Sequence, residues 1–141
     1  MTVRGLARAD PDRPVRHPTL LFAYAIVFAI SIGVAHAQPP PTIGQQGDLR
    51  GAVGMTLYTY APDGTSGTSH CTGPCATVWP PYLAAAGAKA NGSFGLVTRP
   101  DHTLQWSYDG RPLYRYAADT APGMTKGDGV NGVWHVARDG H

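Results

Sequence analysis

Gly54-Met-Thr-Leu57-Tyr58-Thr-Tyr60-Ala61-Pro-Asp63 returns later in the chain as Gly110-Arg-Pro-Leu113-Tyr114-Arg-Tyr116-Ala117-Ala-Asp119. Six of the ten positions are identical, and every matched position lies 56 residues from its counterpart. Repetition at a fixed period marks one structural unit used twice. Within each copy the residues alternate, which places Tyr58 and Tyr60 on one face of a strand and Leu57, Thr59 and Ala61 on the other. Tyr114 and Tyr116 oppose Leu113, Arg115 and Ala117 in the same way. Trp79 and Trp134, 55 residues apart, continue the match more loosely.

Outward from this repeat, composition points to the same class. All nine acidic residues are Asp, and the chain holds 18 Gly and 13 Pro. Asp, Gly and Pro serve turns and caps, and without Glu a helical bundle loses one of its best formers. The expectation is an all-β fold: one small domain of short antiparallel strands and hairpins with an internal two-fold repeat. The strongest local signal is Thr103 to Tyr108, then Asp109-Gly110, then the Tyr114 strand. Asp-Gly suits a type I′ turn, in which both central residues take positive φ. Phe94 to Arg99, Gly132 to Ala137 and Leu49 to Val53 are predicted as further strands. Thr72 to Trp79, beside the cysteines, is predicted as one short helical turn stopped by Pro80-Pro81.

Ahead of the repeat, Leu20 to Val34 is an uncharged apolar run of 15 residues, preceded by Arg4, Arg8, Arg13 and Arg16 and followed by Ala35-His36-Ala37. Small residues at the third and first positions before a cut fit signal peptidase, so residues 1–37 are predicted as a cleavable signal peptide. The alternative is an uncut membrane anchor, for which fifteen helical residues, covering roughly 22 Å, fall short of a hydrocarbon core of about 30 Å; after cleavage no stable membrane span is expected. The protein is expected to be periplasmic or secreted. No cysteine stands at the cut for lipid attachment. Residues 38–47, QPPPTIGQQG, are predicted as a flexible linker that buries nothing. Residues 48–141 then form the domain, with copies at about 48–82 and 103–138.

From Gln38 onward seven basic residues face seven acidic ones. With no basic stripe to neutralise phosphates, a nucleic-acid partner is not expected. Catalytic signatures are missing too: there is no Gly-x-Ser-x-Gly elbow, no His-Glu-x-x-His and no phosphate-cradling loop. The expectation is therefore no enzyme and no cofactor, but a non-catalytic binding or structural module of the cell envelope, with an unidentified envelope ligand or protein as partner.

Two readings stay open for Cys71 and Cys75. Export to an oxidising compartment favours a structural disulfide. The alternative is a thiolate pair of a periplasmic metal or redox-handling protein, holding copper or cycling in redox exchange, aided by His70 or His135, because soft thiolates suit Cu(I). The Cys-x-x-x-Cys spacing fits neither thioredoxin-type exchange nor haem attachment. Tyr58, Tyr60, Tyr114, Tyr116, Trp79 and Trp134, together with Trp106, read either as core and cross-strand pairs or as a stacking surface for a ligand. Asp63 and Asp119 read as acceptors for backbone N–H groups in the following turn. A calcium reading of these aspartates, with Asp128 and Asn131, lacks a recognised loop spacing.

The motif Tyr-x-Tyr-x-x-Asp after Gly-x-x-Leu resembles that of the bacterial secreted-repeat family, many of whose members look like lipoproteins with a Tyr-x-aromatic-x-x-Asp signature. The likeness runs from about Gly51 to Gly140. It takes in Ser69 to Pro81 after the first copy and Gly127 to Trp134 after the second. The missing cysteine at the cut sets this chain apart from the lipoprotein members. The resemblance implies an exported repeat protein and no particular activity.

Overall fold

In a computed structural model the described residues are Gly5 and 36–140. The apolar run read as a signal peptide lies outside them. Among the described residues the strands are β1 (Thr42–Ile43), β2 (Leu49–Arg50), β3 (Tyr58–Tyr60), β4 (Phe94–Thr98), β5 (Leu104–Tyr108), β6 (Arg111–Pro112) and β7 (Trp134–Val136), with one short helix, α1 (Pro74–Val78). They form three small antiparallel sheets, β1-β2, β3-β7 and β4-β5-β6. The fold is all-β, as composition requires.

The Asp109-Gly110 turn forms as predicted, with φ of 45° and 78° at its two residues. It pairs Tyr108 with Arg111 and Ser107 with Pro112. α1 begins at Pro74, whose missing N–H costs nothing in a first turn, and ends at Trp79 before Pro80-Pro81. Four expectations are corrected in extent. The Tyr114 strand shrinks to Arg111–Pro112, because Tyr114 turns its backbone bonds from β5 to Tyr58 of the other copy and holds only isolated bridges. The Leu49 strand stops at Arg50, because Ala52–Gly54 form a 3-10 turn with Val53 at φ 50°. The last strand starts at Trp134, because Asn131 and Gly132 turn at positive φ. Residues 38–47 differ most from the linker expectation: Thr42–Ile43 pair with Leu49–Arg50, Pro41 is buried, and Gln38 bridges Ala84. A proline-rich sequence carries no internal alternation, so neither its pairing with the neighbouring β2 nor its bridge to Ala84 was legible.

Alternation along the motif sorts the core into two clusters. Leu57 and Leu113 pack with Leu49, Tyr82, Ala84, Trp106, Tyr108 and Ala137. Tyr58 and Tyr114 pack with Cys71, Trp79, Trp134 and Val136. The main chain joins the two copies at Tyr58 and Tyr114, each of whose N–H groups donates to the other's carbonyl at 2.9 Å. A pseudo-two-fold axis passes between them.

About that axis two closed triangles of backbone bonds form. In one, Leu49 N–H donates to Ala137 O, Ala137 N–H to Leu57 O, and Leu57 N–H to Leu49 O. In the other, Trp106 donates to Tyr82, Tyr82 to Leu113, and Leu113 to Trp106. Each triangle takes two strands from one copy and its third from the other.

Candidate functional site

The motif residues converge at the axis. Tyr58 Oη–H donates to Asp119 Oδ2 at 2.5 Å, and Tyr114 Oη–H donates to Asp63 Oδ2 at 2.5 Å. The tyrosine of each copy is thus bound to the aspartate of the other. The second carboxylate oxygens do what the sequence suggested for them, accepting backbone N–H groups seven residues on: His70 at 2.7 Å and Lys126 at 3.0 Å. The crossed phenols were not anticipated, since a strand pattern does not say which copy a side chain will meet.

The two halves differ in what else the phenols touch. Tyr58 Oη accepts the Gly127 N–H at 3.3 Å. Because Tyr114 gives its proton to Asp63, Ser69 donates to Tyr114 Oη at 2.7 Å, and Ser69 in turn accepts from Arg99 Nη1 at 2.6 Å. Arg99 is buried and also donates to Gln105 Oε1 and Cys71 O. One half of the site thus ends in a cation.

Burial pushes both phenols well above the ordinary tyrosine pKa, and the neighbouring carboxylate adds to the shift. The folded state therefore holds two protons that the unfolded chain releases near pH ~10. Their contribution is complete below that pH and declines above it. The urea midpoint is expected to fall steeply as pH rises from about 9 to about 11.5, and less steeply in Tyr58→Phe. An equal slope in both proteins would contradict the assignment.

Beside the phenols lies a continuous stack of four rings. Tyr60 stacks on Trp134 at 4.4 Å, Trp134 on Trp79 at 3.8 Å with planes 4° apart, and Trp79 on Tyr116 at 4.2 Å. Tyr58 meets Trp79 edge-on at 5.4 Å, and Tyr114 meets Trp134 edge-on at 5.2 Å. The indoles are buried, whereas Tyr60 and Tyr116 at the ends are partly exposed. The core reading of these aromatics is the one the packing supports.

Cys71 and Cys75 are bonded to each other, with Cα atoms 5.2 Å apart. His70 stands on Asp63, with Nδ1 at 3.1 Å, and His135 lies exposed opposite Thr59 on β7. Among the described residues no three His, Cys, Asp or Glu side chains gather as a metal site. The bond closes a five-residue loop, for which chain entropy gives roughly 2 kcal/mol. Replacing both cysteines by serine is expected to lower stability by no more than about that amount, read from urea denaturation.

A separate groove of about 370 Å³ is lined by Thr59, Tyr108, Asp109, Arg111, Asp128 and His135 to Arg138. These come from four separate segments, so no sequence signal marked it. Internal symmetry explains its shape. Thr59, His135, Val136 and Arg138 correspond in the repeat to Arg115, Pro80, Pro81 and Leu83, which line a second groove with His36 and Gln38. There the chain's own Gln38 donates its N–H to Leu83 O at 2.8 Å and accepts from Trp106 Nε1 at 3.3 Å. The counterpart of Leu83 is Arg138, whose main-chain N–H and C=O have no backbone partner among the described residues.

No curated protein and no solved structure matches the chain. A family model described as a secreted repeat of unknown function matches residues 46–82 and 95–138, one segment for each copy of the motif. The two matched segments are the interlocked halves just described and together span more than half of the chain, so the chain belongs to this family of secreted repeats.

Proposed function

We propose that this protein is an exported, non-catalytic module of the cell envelope that binds an extended peptide segment in the groove beside Arg138. One observation carries the reading: at the repeat-related groove the chain's own extended segment is seated on the matching backbone edge, through a main-chain bond from Gln38 to Leu83. The groove beside Arg138 presents the corresponding backbone edge to solvent. Recognition of an extended chain by such an edge draws affinity from main-chain bonds and specificity from flanking side chains, here Arg111, His135 and Tyr108. No chemistry on the bound peptide is proposed: the polar groups of Asp63, Asp119, Tyr58 and Tyr114 are already paired with one another within the core.

Selection of peptides from a displayed library on the mature domain tests this. Binders are expected to shift the amide resonances of Thr59, His135 and Arg138, to slow hydrogen exchange at Arg138, and to be recovered uncleaved. Shifts confined to another face, or turnover of the peptide, would contradict the reading. Export itself has a simple check. The secreted form is expected to begin at Gln38, by intact mass, and its new terminal nitrogen is the atom already bonded to Leu83 O. A full-length product would contradict cleavage.

A further inference from the structure

Every ring of the second core cluster is in contact with the next, and the arrangement has a chemical property that packing alone does not require. A stack of aromatic rings from one partly exposed end to the other is a path for single electrons, because tunnelling falls off exponentially with the gap and each gap here is a ring contact. Trp79 and Trp134 form the buried middle of that path, with ring centroids 3.8 Å apart. On its flanks stand two phenols that each already share a proton with a buried carboxylate. Removing an electron from a phenol makes it a strong acid, and an acceptor at hydrogen-bond distance takes the proton at once. Such phenols are the natural resting place for an electron vacancy.

The two phenols are unequal. Losing one electron takes the pair of Tyr58 and Asp119 from one negative charge to neutrality. The same loss at Tyr114 and Asp63 occurs at the end of the chain through Ser69 to the Arg99 cation, which favours keeping the negative charge. Among the described residues the Tyr58 phenol oxygen has only the Gly127 N–H as a further hydrogen-bond partner.

We propose that Tyr60, Trp134, Trp79 and Tyr116 form a one-electron relay and that Tyr58 with Asp119 is its terminal, proton-coupled site. A high-potential one-electron oxidant of the ferryl-haem class meets the exposed edge of Tyr60 or Tyr116 and is reduced by one electron drawn through the stack. Tyr58 supplies that electron. Its O–H bond breaks as an O–H bond forms on Asp119 Oδ2, leaving a neutral phenoxyl radical beside a neutral carboxylic acid. A one-electron donor of the ascorbate class returns the electron by the same path, and Asp119 returns the proton. The domain thereby intercepts oxidants at the envelope. This activity goes beyond the peptide-binding reading and does not depend on it.

The probe is photogenerated tris(bipyridine)ruthenium(III), which is too large to touch the fully buried Tyr58 ring. After a flash, the wild-type domain is expected to give a neutral tyrosyl radical by electron paramagnetic resonance. Site-specific Tyr58→3-fluorotyrosine preserves ring and hydroxyl, and it is expected to add a fluorine splitting to most of that signal. Tyr58→Phe is expected to cut the long-lived tyrosyl yield several-fold. A radical without fluorine splitting, or no tyrosyl radical at all, would overturn the proposal whether or not Tyr58→Phe folds.

Discussion

Asp119→Ala is expected to destabilise the domain by roughly 3–5 kcal/mol. The carboxylate accepts two hydrogen bonds, from Tyr58 Oη–H and from the Lys126 N–H, and is only 6% exposed. Alanine removes both acceptors and leaves a buried phenol facing a cavity. An unpaired buried donor such as the Tyr58 phenol costs about 1–3 kcal/mol, and the part-buried Lys126 N–H loses its acceptor as well. Asp63→Ala repeats the experiment on the other copy, where Tyr114 Oη–H and the His70 N–H lose their acceptor. Its loss is expected to be the smaller of the two, because Ser69 can rotate to accept from Tyr114. Urea denaturation of both variants gives the comparison. A loss below about 1 kcal/mol for Asp119→Ala would mean that the crossed pairs are not what joins the copies.

Gly110→Val is expected to cost about 3 kcal/mol or more, through two separable causes. Gly110 sits at φ +78°, where a β-branched side chain is strained, and a Cβ there would meet Thr65 O at 2.3 Å. Gly129 has nearly the same φ, +77°, with nothing within 4 Å of an added Cβ. Gly129→Ala therefore measures the conformational part alone, about 1 kcal/mol, and Gly110→Ala exceeds it by the collision with the Thr65 carbonyl. Equal losses for the two alanine variants would show that the loop carrying Thr65 yields freely.

The parts of the fold legible in the sequence were those written in neighbouring residues. Alternation around Tyr58 and Tyr114 placed the leucines and tyrosines in separate cores, and Asp109-Gly110 specified its turn by backbone sterics alone. Strand ends were less legible. Val53 and Asn131 take positive φ because the surrounding turns demand it, and neither residue type announces this. Within the candidate site, the acceptor role of Asp63 and Asp119 toward backbone N–H groups followed from turn chemistry. Their phenol partners did not, because the pairing crosses between copies more than 50 residues apart. The groove was illegible for the same reason: Arg111 and Arg138 become neighbours only through the tertiary fold.

The crossing of the copies has a consequence for how the molecule comes to exist. Ala137 closes the triangle of Leu49 and Leu57, while Tyr82 closes that of Trp106 and Leu113. A single copy on its own has an open triangle, an aspartate without its phenol and half a ring stack, so it can complete itself only against a second copy. The arrangement is that of a two-fold dimer whose subunits have been joined end to end. Because a chain is made amino end first, the first half cannot lock until residues near 137 have followed it.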